Sequence, residues 1–176
     1  MSTRTVLHEA DIARALTRIS HEILESNKGP EKLVILGIPT RGVALAHRIG
    51  ALVAEFGGQP VPVGALDVTM YRDDLHRNPT RAPQPTQIPA GGIDGKTVVL
   101  VDDVLFSGRS IRAALDALQD IGRPAAVRLA TLVDRGHREL PIRPDFVGKN
   151  LPSARDERVN VRLSEIDGAE EVTIES

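Results

Sequence analysis

Apolar runs and amphipathic helical segments alternate along the chain. Continuous apolar stretches predict buried strands at 33–37, 97–101 and 127–133, and an alternating stretch predicts another at 61–71. Apolar positions at helical spacing predict helices over 9–27, 43–56 and 110–121, and short strands are expected near Phe146 and over 159–163. Strands that alternate with helices form a mainly parallel sheet covered on both faces, so we expect an α/β fold. Ligands of such sheets bind beyond the carboxyl ends of the strands.

The segment 72–92 interrupts this alternation. It is polar and contains four prolines, which exclude a regular helix or a central strand. A loop of about twenty residues is longer than is usual inside a compact domain, and long loops often close over binding sites. Two interpretations stay open at this point: a lid over a site, or a surface loop without a function.

Composition narrows the class of protein. The 176 residues suit a single domain, and with only 2% aromatic residues the core must be aliphatic. The chain has no cysteine, which excludes disulfides, thiolate metal sites and a cysteine nucleophile. A net charge of −2 excludes a generally basic nucleic-acid binder, although a local basic patch is compatible with it. Since no apolar run reaches the roughly 18 residues of a membrane span, we expect a soluble, cytoplasmic protein.

Two adjacent carboxylates and a turn of small residues follow the strand at 97–101. Asp102 and Asp103 end the strand, and the turn at 107–110 opens the next helix. Free backbone N–H groups at a helix N-terminus bind phosphate, and Gly108 lets the backbone approach it closely. Carboxylates repel phosphate but suit ribose hydroxyls or a hydrated divalent cation. A ribose that carries a phosphate satisfies both groups; the alternative is that the aspartates only cap the helix.

Two other nucleotide-binding motifs are excluded. Gly95-Lys96-Thr97 lacks the upstream glycine of a P-loop and precedes a strand instead of following one. The three spaced glycines of a dinucleotide-binding fold are absent after the first predicted strand. The loop at 37–42, GIPTRG, does lie between a strand and a helix, and Arg41 offers the fork geometry that phosphate oxygens favour. A simple helix-start turn is the alternative for that loop.

The segment VVLVDDVLFSGRS at 98–110 resembles the phosphoribosyl pyrophosphate (PRPP) signature of type I phosphoribosyltransferases. The segments RALTRISHEILESNKG, GIPTRG, VTMYRDDL and VDRGHRELPIRPDFVGKNLPS are similar to the pyrimidine-operon attenuator and uracil phosphoribosyltransferase family, PyrR. The resemblance covers nearly the whole chain and departs mainly at 75–92 and in the C-terminal tail. It implies one phosphoribosyltransferase domain over 1–176, with a flexible lid at about 72–92 and a hood at about 134–155.

The resemblance also implies the site residues. Arg41, Arg72 and Asp103 are expected to be catalytic, with Mg²⁺ carried by PRPP and held through water near Asp102, Asp103 and Asp134; no direct protein ligand of the ion is assigned. His137 is a less favoured candidate for a general base. PRPP, uracil and the product UMP are expected to contact Thr40, Arg41, Gly42, Asp102, Asp103, Val104, Leu105, Phe106, Ser107, Gly108, Arg109, Ser110, Asp134, Arg135 and Val147.

One face of the first predicted helix is polar and basic. Apolar residues lie on one side of it, and the opposite side presents Arg14, Thr17, Arg18 and His21. Such a face is compatible with an RNA backbone, although a solvated surface is the simpler interpretation. The resemblance to PyrR implies that these residues bind messenger RNA together with Arg138, Arg143 and Lys149.

The resemblance therefore implies two activities. One is the uracil phosphoribosyltransferase reaction, and the other is regulation of the pyrimidine (pyr) operon through binding of its leader mRNA in response to UMP or UTP. Two alternatives remain: a purely metabolic phosphoribosyltransferase of another base specificity, or a regulator whose enzymatic activity is vestigial. The resemblance also suggests a homodimer or a larger homo-oligomer.

Overall fold

A computed structural model describes residues 2–72 and 85–176. Most of the predicted lid, residues 73–84, therefore lies outside the described residues. The elements in chain order are β1 (Thr3–Leu7), α1 (Glu9–Asn27), β2 (Leu33–Gly37), α2 (Arg41–Gly57), β3 (Val63–Ala65), a 3-10 turn (Thr69–Tyr71), β4 (Thr97–Leu105), α3 (Arg109–Gln119), β5 (Ala126–Asp134), β6 (Phe146–Asn150), β7 (Arg158–Arg162), α4 (Ser164–Asp167) and β8 (Glu171–Glu175).

The main sheet has five parallel strands in the order β3-β2-β4-β5-β6. Alternate residues of each strand point to opposite faces, so Ile35 joins one apolar layer while Val34 and Leu36 join the other. Helices α1 and α2 cover the first face, and α3 covers the second. The predicted α/β fold with both faces covered is confirmed.

Helix α1 follows its predicted bounds, and its apolar stripe is buried. The side chains of Ile12, Leu16, Ile19 and Ile23 are at most 3% exposed. In α3, the prediction that Leu115 and Ile121 face inward is wrong, since both are exposed. Ala113 and Ala117 are buried in α3 together with the predicted Ile111, Ala114 and Leu118.

Two predicted strands differ from the structure. The alternating stretch 61–71 forms only the short edge strand β3 and then a 3-10 turn, because Asp67 accepts hydrogen bonds from the Thr69 backbone and hydroxyl and bends the chain. Strand β4 is longer than predicted and runs through Asp102 and Asp103 to Leu105. The ladder to β5 continues as far as Leu105 opposite Asp134, so the two aspartates lie within the strand and not after it.

A second, antiparallel sheet of three strands is built from both chain termini in the order β1-β8-β7. The sequence pattern did not indicate β1 or β8, because each is short and gains its partner from the far end of the chain. The segment 134–155, where the hood is predicted, contributes β6 to the main sheet together with the connections on either side. Within the described ranges, no helix is long and apolar enough to cross a membrane.

Candidate active site

The carboxyl ends of β2, β4 and β5 meet at one edge of the main sheet, and the loop from β2 to α2 lies against β4 there. The Ile38 N–H donates to the Val101 carbonyl at 2.9 Å. A Cβ on Gly37 would lie 2.4 Å from the Gly42 carbonyl oxygen, and one on Gly42 would lie 2.5 Å from the Val101 carbonyl oxygen. Both glycines are therefore required by the close approach of this loop to the strand.

Asp102 and Asp103 are half-buried at this edge. Each carboxylate is oriented by the backbone: Asp102 accepts from the Asp103 N–H at 2.9 Å, and Asp103 accepts from the Val104 N–H at 2.8 Å. These local bonds fix both carboxylates relative to the backbone, and ordered carboxylates are suitable acceptors for hydroxyl groups. No group of three or more acidic or histidine residues with metal-site geometry occurs in the described residues.

The turn before α3 has the geometry expected of a phosphate loop. Gly108 has a φ of +93°, which favours glycine, and α3 begins at Arg109. The Ser107 hydroxyl accepts from the Arg109 N–H at 3.2 Å, and the Ser110 hydroxyl is held by Arg72 Nη1 at 2.6 Å. The structure thus brings Arg72, at the start of the predicted lid, to the phosphate loop.

The connection between β5 and β6 clamps this loop from the other side. The N–H groups of Glu139 and Leu140 both donate to the Ser107 carbonyl, at 2.9 and 3.1 Å. Arg109 donates to the Glu139 carboxylate at 2.7 Å. The phosphate loop is therefore fastened to residues 139–140, contacts that the sequence pattern did not indicate.

Arg138 is the centre of this connection. Its guanidinium donates to the Ile142 carbonyl (2.7 Å), the Phe106 carbonyl (2.9 Å) and the Asp134 carboxylate (2.7 Å). Burial opposes ionisation of Asp134, but the bonds from Arg138 and the Gly136 N–H outweigh it, so the pKa of Asp134 lies below its usual value. Arg138 is thus engaged by the active-site loops.

Two further predicted residues also have structural partners. The buried Arg135 lies over the Phe106 ring at 4.2 Å and donates to the Ala154 carbonyl at 2.7 Å, and burial lowers its pKa. The His137 imidazole lies 2.5 Å from the Ser153 carbonyl, to which its Nε2–H donates. Both side chains tie the segment after β5 to 153–155.

Arg41 extends from the start of α2 and forms a bidentate ion pair with Asp167 of α4. Its Nη2 and Nε atoms donate to the two carboxylate oxygens at 2.6 and 3.1 Å. Hydrogen bonding to Asp167 raises the pKa of Arg41 and the nearby charge of Asp103 adds to this effect, while the same pair lowers the pKa of Asp167. Arg41 and Asp103 line one polar cavity with residues of the small sheet.

The polar face of α1 is exposed, but its residues differ in their contacts. Arg14 pairs with Asp11, and His21 stacks on Phe56 with the ring centroids 4.1 Å apart. Arg18 crosses to the main sheet and donates to the carbonyls of Val147 (3.0 Å) and Gly148 (2.6 Å). Arg18 thus joins the predicted RNA face directly to β6, the strand that carries the predicted substrate contact Val147.

The remaining predicted RNA residues lie in two places. Arg143 and Lys149 are exposed, and within the described residues neither forms an ion pair. Lys149 belongs to β6, the strand that Arg18 contacts, whereas Arg138 is turned toward Asp134 and Phe106. Arg14, Thr17, Arg18 and His21 share one surface depression on α1.

Sequence reasoning missed Asp167 and Glu139 as site residues. Asp167 comes from the C-terminal tail, and Glu139 is one charged residue of a charged loop. Neither residue was singled out, because each acquires its arginine partner only when distant segments pack together.

The strand end with two carboxylates, the phosphate loop and the arginine of the first loop define a class of protein. The family model for the phosphoribosyl transferase domain matches residues 2–163, and the chain belongs to this family. A crystal structure of the hypoxanthine phosphoribosyltransferase of Trypanosoma cruzi is similar, with a TM-score of 0.73. That match covers 97% of this chain and 95% of the other at 15% identity, and it shows the shared fold.

Curated relatives narrow the class. A protein from Leifsonia xyli subsp. xyli named "Bifunctional protein PyrR" is 72% identical, and the match covers 99% of this chain and 98% of that protein. One of the same name from Mycobacterium tuberculosis is 55% identical over 98% of this chain and 93% of that protein. Within the phosphoribosyltransferases, the chain is a member of the PyrR family.

Proposed function

We propose that this protein transfers the phosphoribosyl group of PRPP to uracil, releasing UMP and diphosphate, and regulates the pyr operon by binding its leader mRNA in response to UMP or UTP. The convergence of Asp102, Asp103 and the loop at 106–110 at one sheet edge carries the enzymatic half. Membership in the PyrR family supports both halves.

Different residues of the site bind the phosphate, ribose and diphosphate groups of PRPP. The N–H groups at the start of α3 and the Ser107 and Ser110 hydroxyls bind the 5′-phosphate, since they offer donors and a favourable helix dipole. The Asp102 and Asp103 carboxylates accept from the ribose hydroxyls. Thr40, Arg41 and Gly42 bind the diphosphate, and Arg72 reaches it from the start of the lid.

The residues present fit a magnesium ion that arrives with PRPP. Mg²⁺ usually keeps several of its waters and binds to substrate phosphates, and the half-buried, backbone-oriented carboxylates of Asp102 and Asp103 would hold it through those waters. Asp134 is held by Arg138 and contributes through water. When bound, the ion supplies positive charge that stabilises the departing diphosphate.

The reaction needs no protein nucleophile. The bond between ribose C1′ and the diphosphate oxygen breaks with its electron pair on oxygen, a bond from uracil N1 to C1′ forms, and the N1 proton is lost to solvent. Positive charge develops on the ribose ring, and the carboxylates of Asp102 and Asp103 stabilise it. Positioning and electrostatics account for the rate enhancement.

The enzymatic half is tested by measuring diphosphate release from PRPP with uracil, hypoxanthine or guanine as the acceptor. We expect turnover with uracil, and an Asp103→Asn variant should lower it by about 10² or more, because it removes charge from the developing ribosyl cation. Turnover with a purine and none with uracil would instead support a metabolic enzyme of another base specificity. No turnover with any base, together with UMP binding, would support a regulator with vestigial activity.

The regulatory half is supported by the contact of Arg18 with Val147 and Gly148. Strand β6 borders the site, α1 presents the basic face, and Arg18 connects them, so a uracil read by the β6 backbone is linked to the orientation of α1. Occupancy by UMP is then expected to raise RNA affinity, and RNA must raise UMP affinity by the same factor. With a net charge of −2, non-specific binding should be weak.

Filter binding of the leader RNA with and without UMP tests this half. We expect tighter binding with UMP, and weaker binding for Arg143→Ala, an exposed residue without an ion pair within the described residues. An Arg18 variant is a poor probe, because it also releases two backbone carbonyls of β6. Equal RNA affinity with and without UMP would contradict the regulatory proposal.

We also propose that the protein acts in the cytoplasm as a homodimer or larger homo-oligomer. Light scattering at several protein concentrations tests the assembly, and a concentration-independent monomer would contradict it.

A further inference from the structure

The C-terminal segment after β7 is fastened to α2 by three carboxylates. Glu165 and Glu170 both pair with Arg48 of α2. Asp167 pairs with Arg41, which is the α2 residue of the proposed diphosphate site. Arg48 lies two turns further along α2, away from the sheet edge. The two arginines therefore receive the same kind of partner from the same segment but occupy different places relative to the site.

The pair between Arg41 and Asp167 has defined geometry. The Asp167 carboxylate takes Nε and Nη2, the side edge of the guanidinium. It is itself held by the Leu163 N–H, which donates to Oδ2 at 2.8 Å. The side chains are 31% and 17% exposed, so the pair is partly shielded from water. A bidentate, partly buried pair with a backbone anchor fixes the plane of a guanidinium.

Arg41 also lies beside the candidate site. Arg41 and Asp103 line one polar cavity with Asn160, Arg162 and Asp167, between the carboxyl edge of the main sheet and the small sheet. Asp103 contributes an electrostatic interaction to Arg41 without a hydrogen bond to it. Because Asp167 occupies the side edge, the Nη1 and Nη2 end edge is left for an anion beside Asp103.

The C-terminal segment has attachments to α2 other than Asp167. Arg48 alone pairs with two carboxylates of that segment, and Glu170 also accepts from the Ser164 N–H at 3.0 Å. The charge of Asp167 therefore acts mainly on Arg41. The proposed diphosphate site depends in turn on the position of Arg41.

We propose that Asp167 is a positioning residue, which holds the Arg41 guanidinium so that its end edge binds the diphosphate group of PRPP. The inference rests on the proposed function, since it assumes that Arg41 binds diphosphate. It adds a residue that the sequence pattern did not indicate, supplied by the tail that closes the small sheet. Asp167 acts through Arg41 and does not touch the substrate.

The test compares Asp167→Asn with Glu165→Gln, which removes a carboxylate from the same short helix but leaves Arg41 paired. Diphosphate binding in the presence of Mg²⁺ is measured by calorimetry, and KM and kcat by initial rates. We expect Asp167→Asn to weaken diphosphate binding and to raise KM for PRPP by roughly tenfold or more, since an error of about 1 Å in a positioned group can cost up to about 10². KM for uracil should stay the same, and Asp167→Glu should recover part of the loss.

The outcomes separate the inference from the proposed function. Unchanged diphosphate affinity in Asp167→Asn overturns the inference. Higher affinity also overturns it, because the Asp167 carboxylate would then compete with diphosphate for Arg41. An equal loss in Glu165→Gln also overturns it, since the effect would then come from docking of the segment. A wild-type protein that binds diphosphate but forms no UMP would contradict the proposed function alone, because the binding comparison would still be valid.

Discussion

Replacing Arg138 by methionine removes a guanidinium from the junction of the phosphate loop and the strand end of β5 while keeping most of the side-chain volume. Three bonds are lost, to the carbonyls of Phe106 and Ile142 and to the Asp134 carboxylate. We expect the variant to be less stable and less active, because the loop at 106–110 loses one of its attachments to the segment after β5. The attachments through the Ser107 carbonyl and through the ion pair of Arg109 with Glu139 remain.

The expected loss of unfolding free energy depends on how far the pair of Arg138 and Asp134 is buried. A hydrogen bond to a charged group contributes about 1.5–3 kcal/mol, and breaking a buried ion pair costs about 3–5 kcal/mol. The side chains of Arg138 and Asp134 are 22% and 13% exposed, so water can replace part of what is lost, mainly at the two carbonyls. We therefore expect the free energy of unfolding to fall by about 2–4 kcal/mol. The pKa of Asp134 should rise, because burial remains when its partner is removed.

Urea unfolding measures the stability, carbon NMR of the carboxyl group measures the Asp134 titration, and initial rates with PRPP measure the activity. Arg143→Met is the matched control on the same connection, because Arg143 is exposed, and its stability should change by no more than about 0.5 kcal/mol. If both variants unfold at the same urea concentration, or the Asp134 pKa does not move, the reasoning about Arg138 is refuted. RNA binding must be compared at equal folded fractions, since Arg138 is also predicted to bind RNA.

Three other results are expected. Gly42→Ala places a Cβ 2.5 Å from the Val101 carbonyl oxygen, so it should lower the free energy of unfolding by about 1–3 kcal/mol and raise KM for PRPP. The control Gly50→Ala, whose Cβ would lie 2.4 Å from Val63 Cγ2, should lower stability without changing KM. Equal kinetics in the two variants would contradict this expectation. Arg48 lowers the pKa of Glu165 from 4.5 to about 2, so the stability that this ion pair contributes is complete above about pH 5 and is lost as the pH falls toward 2. Urea unfolding between pH 6 and 3 should therefore show a smaller loss of unfolding free energy in Arg48→Met than in the wild type. Identical pH dependence of the unfolding free energy in the two proteins would refute the expectation. Lys149→Gln should reduce the slope of log RNA affinity against log salt by about 1, and an unchanged slope would exclude a phosphate contact.

Much of the main sheet was predictable from the sequence, because its signals are local. Strand β2 and helix α1 have their predicted bounds, since a continuous apolar run and a stripe at helical spacing each report which face of an element is buried. The turn before α3 was predictable for a similar reason, because the positive φ of Gly108 and the backbone hydrogen bonds of Asp102 and Asp103 are set within a few residues. Its role in phosphate binding stays a prediction.

The errors arose where an element depends on a distant partner. The stretch 61–71 alternates like a strand, but at the edge of the sheet it has a single neighbour and the Asp67 turn ends it after Ala65. The small sheet was missed because β1 and β8 are each five residues long and pair across almost the whole chain.

The sequence by itself determined the layered fold and the chemistry that the strand ends could support, since apolar periodicity and a contiguous motif need no information from elsewhere in the chain. Tertiary structure decided which partner each arginine has: Arg41 meets Asp167, Arg18 meets the β6 carbonyls, and Arg138 meets Asp134 and Phe106. A guanidinium on a long, flexible side chain can reach many carboxylates and carbonyls, and its partner is selected only when the packing of separate segments brings one of them within hydrogen-bonding distance.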